Sequence, residues 1–213
     1  MDQSFQESQM PRPDPLSRVP ALLRRLAALT ILLGGMALAA PGMAAEIEGQ
    51  RFDETVQLAS KDLQLNGVGM RTVFLIKAYA AGLYLPEKAR NAAVVLGMGG
   101  AKRLQIRPLR EVEADTFIKA LNEGIHKNHS EAQISKLNSR LDQLSETLRT
   151  LGKAQKGDTI NFDFAPESGT LITINGAAKG KPIPGEDFYQ AVLRIFIGDQ
   201  PVDRDLKRGL LGN

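Results

Sequence analysis

Hydrophobic and polar positions follow two periods along this chain, and the switches between them mark its elements. Ile160, Phe162 and Phe164 alternate with polar partners over Thr159–Phe164, the period of two that belongs to a half-buried strand. The stretch Arg103–Pro108 (RLQIRP) alternates in the same way, and Thr170–Ile174 forms a further strand ended by Asn175-Gly176, a tight hairpin signal. Between Arg71 and Leu85 the chain is almost continuously apolar, β-branched or aromatic (TVFLIKAYAAGLYL). With Asn66-Gly67-Val68-Gly69 before it and Pro86 after it, this run predicts one or two buried strands.

Elsewhere the period is helical. Ala114, Phe117, Ile118, Leu121 and Ile125 place an apolar stripe on one helix. Ser130-Glu131-Ala132-Gln133 is a capping-box pattern, and Ile134, Leu137, Leu141, Leu144, Leu148 and Leu151 follow in steps of three and four. That predicts a helix of about five turns whose seam packs within the monomer, a coiled-coil dimer being the alternative. A third helix, Glu186–Ile197, carries Phe188, Ala191, Val192 and Ile195 on one face and is ended by Gly198. Strands, two helices, strands and a helix make an α+β order without strict βα alternation. No internal repeat interrupts it, so residues 46–213 are expected to form one domain.

The N-terminal segment stands apart. From Ala21 to Ala45 the chain reads ALLRRLAALTILLGGMALAAPGMAA, in which Arg24 and Arg25 precede an uncharged stretch that runs to Glu46. This is a signal-peptide layout, with Gly42-Met43-Ala44 as the small residues a signal peptidase reads and cleavage expected after Ala44 or Ala45. Residues 1–44 are therefore read as an export signal with a long polar, Pro-rich n-region. The stretch is close to the roughly 20 residues that span a bilayer, so a single anchor is the alternative. Gly34, Gly35 and Pro41 dilute it and favour cleavage. The expected destination is the periplasm or the exterior, with membrane contact only in transit.

Composition narrows the function. A hydrophobic fraction of 43% and a charged fraction of 24% are globular values, and the net charge of +3 is spread without a long basic run, which argues against nucleic acid. Cysteine is absent, removing disulfides, thiolate nucleophiles and Cys-based zinc sites together. His126 and His129 are too few for a His-rich metal site. Gly97-Met98-Gly99-Gly100 lacks the strand-turn-helix setting of a dinucleotide loop, and no P-loop or GxSxG elbow is present. No cofactor or metal is expected.

Several stretches together carry a resemblance. Gly67-Val68-Gly69-Met70-Arg71, Lys77-Ala78-Tyr79-Ala80-Ala81-Gly82-Leu83-Tyr84-Leu85, Asp115-Thr116-Phe117, Leu121-Asn122-Glu123-Gly124-Ile125, Phe188–Leu193 and Ile197-Gly198-Asp199-Gln200-Pro201-Val202 are similar to the chalcone isomerase-like family. The likeness is greatest to its bacterial exported branch and to plant fatty-acid-binding relatives. It implies an open-faced β-sandwich, a large antiparallel sheet covered by helices, with a ligand cleft between the two layers. It further implies that Arg71 holds an anionic group and that Tyr79 supplies a hydroxyl beside it. In true isomerases a tyrosine and an asparagine on the next helix complete the site. Asn122 resembles that asparagine, whereas Ala114 or Asp115 stands where the tyrosine is expected.

The residue chemistry agrees with a binding role. Arg71 is a permanently charged fork of five donors suited to a carboxylate or phenolate, the alternative being a strand-end arginine in solvent. Tyr79 can add a charge-assisted hydrogen bond to an anion held there. Eight residues of unbroken strand would separate the two by roughly 26 Å, so a joint site demands a turn or bulge between them. Lys77 is a second cationic candidate on Tyr79's face, or an exposed edge lysine. Asp115, Lys119, Asn122 and His126 form a polar stripe on the first helix, which reads either as a lining over the sheet or as a solvated border. The expected function is non-catalytic binding of a hydrophobic carboxylate such as a fatty acid, in an elongated cavity beside Arg71. A chalcone-type isomerase and a partner-binding scaffold are the alternatives.

Overall fold

The computed structural model describes residues 44–213, so the expected export signal lies outside the described residues apart from its last position, Ala44. The chain opens with the hairpin β1 (Ala44–Ile47) and β2 (Gln50–Asp53), then β3 (Thr55–Leu58), β4 (Lys61–Val73) and β5 (Ile76–Leu85). Helix α1 (Ala92–Gly97) leads to β6 (Lys102–Pro108), and short β7 (Val112–Glu113) leads into α2 (Ala114–Asn128) and α3 (Glu131–Arg149). Short β8 (Lys153–Ala154) precedes β9 (Ile160–Ala165), β10 (Gly169–Ile174) and β11 (Ala177–Ile183). Helices α4 (Glu186–Ile197) and α5 (Arg204–Leu210) end the chain.

Seven of these strands form one antiparallel sheet in the order β11-β10-β9-β6-β5-β4-β3. Alternation sorts its faces. Tyr79, Ala81, Leu83 and Leu85 of β5, Leu104 and Ile106 of β6, and Ile160, Phe162 and Phe164 of β9 share one buried cluster with residues of each helix among the described residues. On the other face Phe52, Leu63, Leu65, Ala80 and Tyr84 make a second cluster, against which Ala45 and Ile47 of the β1–β2 hairpin pack. The α+β architecture is a helix-covered antiparallel sheet, as the apolar periods require.

The helices follow their sequence signals closely. In α3, Ser130 and Gln133 form the reciprocal capping box, and Ile134, Leu137, Leu144 and Leu148 are buried within the monomer, so the seam packs inward. Arg140 ties α3 to α4 through paired 2.7 Å contacts with both carboxylate oxygens of Asp187.

One expectation about the first sheet strands is corrected. Asn66-Gly67-Val68-Gly69 does not precede the strand but lies inside β4. The apolar run after it is two strands, as the sequence allowed, folded at Phe74-Leu75, where Val73–Ile76 are exposed rather than buried. The glycines serve closeness rather than turning. A Cβ at Gly69 would stand 2.6 Å from the Leu206 carbonyl oxygen, and one at Gly67 would collide with that of Gly209, so α5 lies directly on the β4 backbone.

Candidate functional site

The fold at Phe74-Leu75 brings Arg71 and Tyr79 together. Val73 pairs with Ile76 and Thr72 with Lys77, and a one-residue irregularity at Ala78 then sets Arg71 directly opposite Tyr79. Residues directly opposite in an antiparallel pair lie side by side on one face. The Arg71 guanidinium accordingly stands over the Tyr79 ring, 5.9 Å from its centroid. Tyr79 is only 7% exposed and belongs to the cluster between sheet and helices.

Helix α5 brings a third group. Asp203 caps that helix, its Oδ1 accepting from the backbone N–H of Asp205 and Leu206 at 2.8 and 2.9 Å. Its Oδ2 accepts from the Thr72 N–H at 3.2 Å. Burial pushes the Tyr79 hydroxyl up to about 12; the Arg71 charge and hydrogen bond oppose the rise, and the Asp203 charge adds to it. At neutral pH the site therefore offers a permanent cation and a neutral O–H donor beside a resident carboxylate. That arrangement can hold an anion. Asp203 was readable only as a helix cap and was not singled out in the sequence.

The other candidates lie elsewhere. Lys77 is separated from Tyr79's face by the irregularity at Ala78 and pairs with Glu48 in the β1–β2 turn at 2.7 Å. Helix α2 buries Ile118, Leu121, Gly124 and Ile125, and Gly124 lets it approach Ile195 of α4 closely. This orientation turns Asp115 and Asn122 to the exposed side, so the lining over the sheet is not formed. Asp115 faces Arg149 at 3.6 Å, and Asn122 shares an open cleft of about 690 Å³ with Lys119, Glu123 and His126. A second cleft of about 680 Å³ lies between the β1–β2 turn and the β4–β5 hairpin tip. Neither is lined by Arg71 or Tyr79, and on the side where the elongated cavity was expected Tyr79 is packed into the buried cluster between sheet and helices.

A sequence model described as chalcone isomerase-like matches residues 44–212. No curated protein sequence matches the chain significantly. Among solved structures, the crystal structure of an Arabidopsis thaliana fatty-acid binding protein superposes with a TM-score of 0.62 at 15% identity, covering 79% of this chain and 96% of that one.

Proposed function

The chain belongs to the chalcone isomerase-like family, and on that footing we propose that it is an exported, non-catalytic binder of a hydrophobic carboxylate such as a fatty acid. The observation that carries this reading is the meeting of Arg71 with Tyr79 at the edge of the apolar layer. The structural neighbour's description as a fatty-acid binding protein supports it.

In this reading two guanidinium donors and the Tyr79 hydroxyl take the carboxylate, contacts that are short and strong because charge assists them. The aliphatic tail enters the layer to which Tyr79, Ala81 and Ile106 belong. Because that layer is filled with side chains, uptake requires a helix to part from the sheet. The seven-residue α5 is the natural gate, since it rests on Gly67 and Gly69 and its cap, Asp203, accepts from the N–H of Thr72, the residue after Arg71. The isomerase alternative draws on a helix tyrosine and on Asn122. The first position holds Ala114 or Asp115, and Asn122 is exposed on α2, which supports binding over ring closure.

Native mass spectrometry of the protein recovered from a bacterial periplasm tests the reading, followed by extraction of any copurifying small molecule. A fatty acid present in wild type and lost in Arg71→Ala is the expected result. An empty wild type that takes up nothing from an added fatty-acid mixture would sink it. N-terminal sequencing of the same sample is expected to begin at residue 45 or 46, and an unprocessed N-terminus would reject export by cleavage.

A further inference from the structure

Among the described residues five large hydrophobic side chains are exposed, and four are consecutive: Val73 (39%), Phe74 (94%), Leu75 (97%) and Ile76 (47%). They form the tip of the β4–β5 hairpin. The backbone there is also unfavourable, because Phe74 opens the two-residue turn with φ +55°, a conformation normally left to glycine. Neither the exposure nor the strained turn serves the fold, and such a combination points to function.

The surroundings identify the occupant. The cleft flanked by Leu75 and Ile76 is lined by Lys77, Arg110 and Lys156 against a single carboxylate, Glu48, a local balance of three positive charges to one negative. A protruding two-residue tip offers little of the roughly 800 Å² per partner that a stable protein interface buries. It does suit shallow entry of about 5–10 Å into a headgroup region, with basic side chains meeting anionic lipid. We propose that the Val73–Ile76 tip is a peripheral membrane anchor that docks on an anionic phospholipid bilayer, a contact that outlasts export. Phe74 and Leu75 enter the boundary of the acyl chains, and Arg110 and Lys156 face the phosphates. Among the described residues no helix is long and apolar enough to cross a membrane, so this contact is superficial. Arg71 stands three residues from Phe74, roughly 10 Å along the strand, at headgroup depth. The anchor does not depend on what Arg71 binds.

The chain contains no tryptophan, so Phe74→Trp in the full-length protein places a single reporter at the tip. Its emission reads the tip alone, whatever the apolar N-terminal stretch does. With phosphatidylcholine vesicles containing 30% phosphatidylglycerol, a blue shift and quenching by brominated acyl chains are expected. Adding Leu75→Asp should weaken the transition by roughly 10- to 100-fold. Arg110→Gln and Lys156→Gln should each weaken it by about 5-fold, and added salt should weaken it further. Unchanged emission while the protein floats with the vesicles would overturn the proposal. So would concentration-dependent self-association, abolished by Leu75→Asp, in a protein whose tip ignores vesicles; that result would assign the tip to a second copy. Fatty-acid binding, measured without vesicles, should survive Leu75→Asp, which separates failure of the anchor from failure of the proposed ligand.

Discussion

Arg71, Tyr79 and Asp203 form a balanced group, and each tests the others. Asp203 places a negative charge in the field that an incoming carboxylate would use, yet its side chain also caps α5. Asn caps helices about as well as Asp, so Asp203→Asn removes the charge and keeps the fold. Fatty-acid affinity measured by calorimetry is expected to rise by about 3- to 10-fold, at the scale of a screened charge pair. Unchanged affinity would place the ligand's charged end away from Arg71. Phe74 gives the opposite kind of test. Phe74→Gly relieves the left-handed strain and should raise stability by roughly 1 kcal/mol in thermal unfolding while removing the reporter position's apolar bulk. Arg71 was legible in the sequence because a guanidinium beside an apolar run is conspicuous. Its partner's position was not, because the two-residue turn at Phe74-Leu75 carries no glycine, asparagine or aspartate to announce it.

At the scale of elements, periodicity carried the information where a face is buried and failed where it is not. Helices α2 and α3 hide one face and show their apolar period directly, and β9 shows it although both its faces are buried, because the polar Asn161 and Asp163 alternate with its apolar residues. The edge strand β11 reads AAKGKPI, is mostly exposed, and has no alternation to read. Strand β4 misled for another reason: Gly67 and Gly69 look like turn residues, but neither adopts a positive φ, and both are small because α5 sits on them. Substituting Gly69→Val should therefore lift α5 off the sheet and cost roughly 2 kcal/mol or more by denaturant unfolding. Within α3, Leu144 is 3% exposed, and Leu144→Ala should cost about 2–5 kcal/mol. Because the leucine seam is spent inside the monomer, the unfolding temperature of both variants should not depend on protein concentration; a dependence would restore the dimer seam.

Across the whole molecule, the three tyrosines report how tightly the layers are closed. Tyr79 is 7%, Tyr84 0% and Tyr189 1% exposed, and the chain has no others. Burial raises Tyr79 and Tyr84 to about 12, and Tyr189 further still. A hydroxyl whose folded value lies above its unfolded value of 10.0 keeps its proton longer in the native state. Its contribution is thus intact below pH 10 and is lost as the pH climbs toward 12, which for Tyr79 amounts to roughly 3 kcal/mol. Native protein should therefore show no tyrosinate absorbance at 295 nm through about pH 11, then a single cooperative rise together with loss of the far-ultraviolet dichroism. Protein unfolded in urea should titrate smoothly near 10. A partial rise near pH 10 with the dichroism intact would mean that one hydroxyl reaches water in the folded state. If that partial rise vanished in Tyr79→Phe, the layer beside Arg71 would be shown to open without unfolding, the motion that uptake of an aliphatic tail demands.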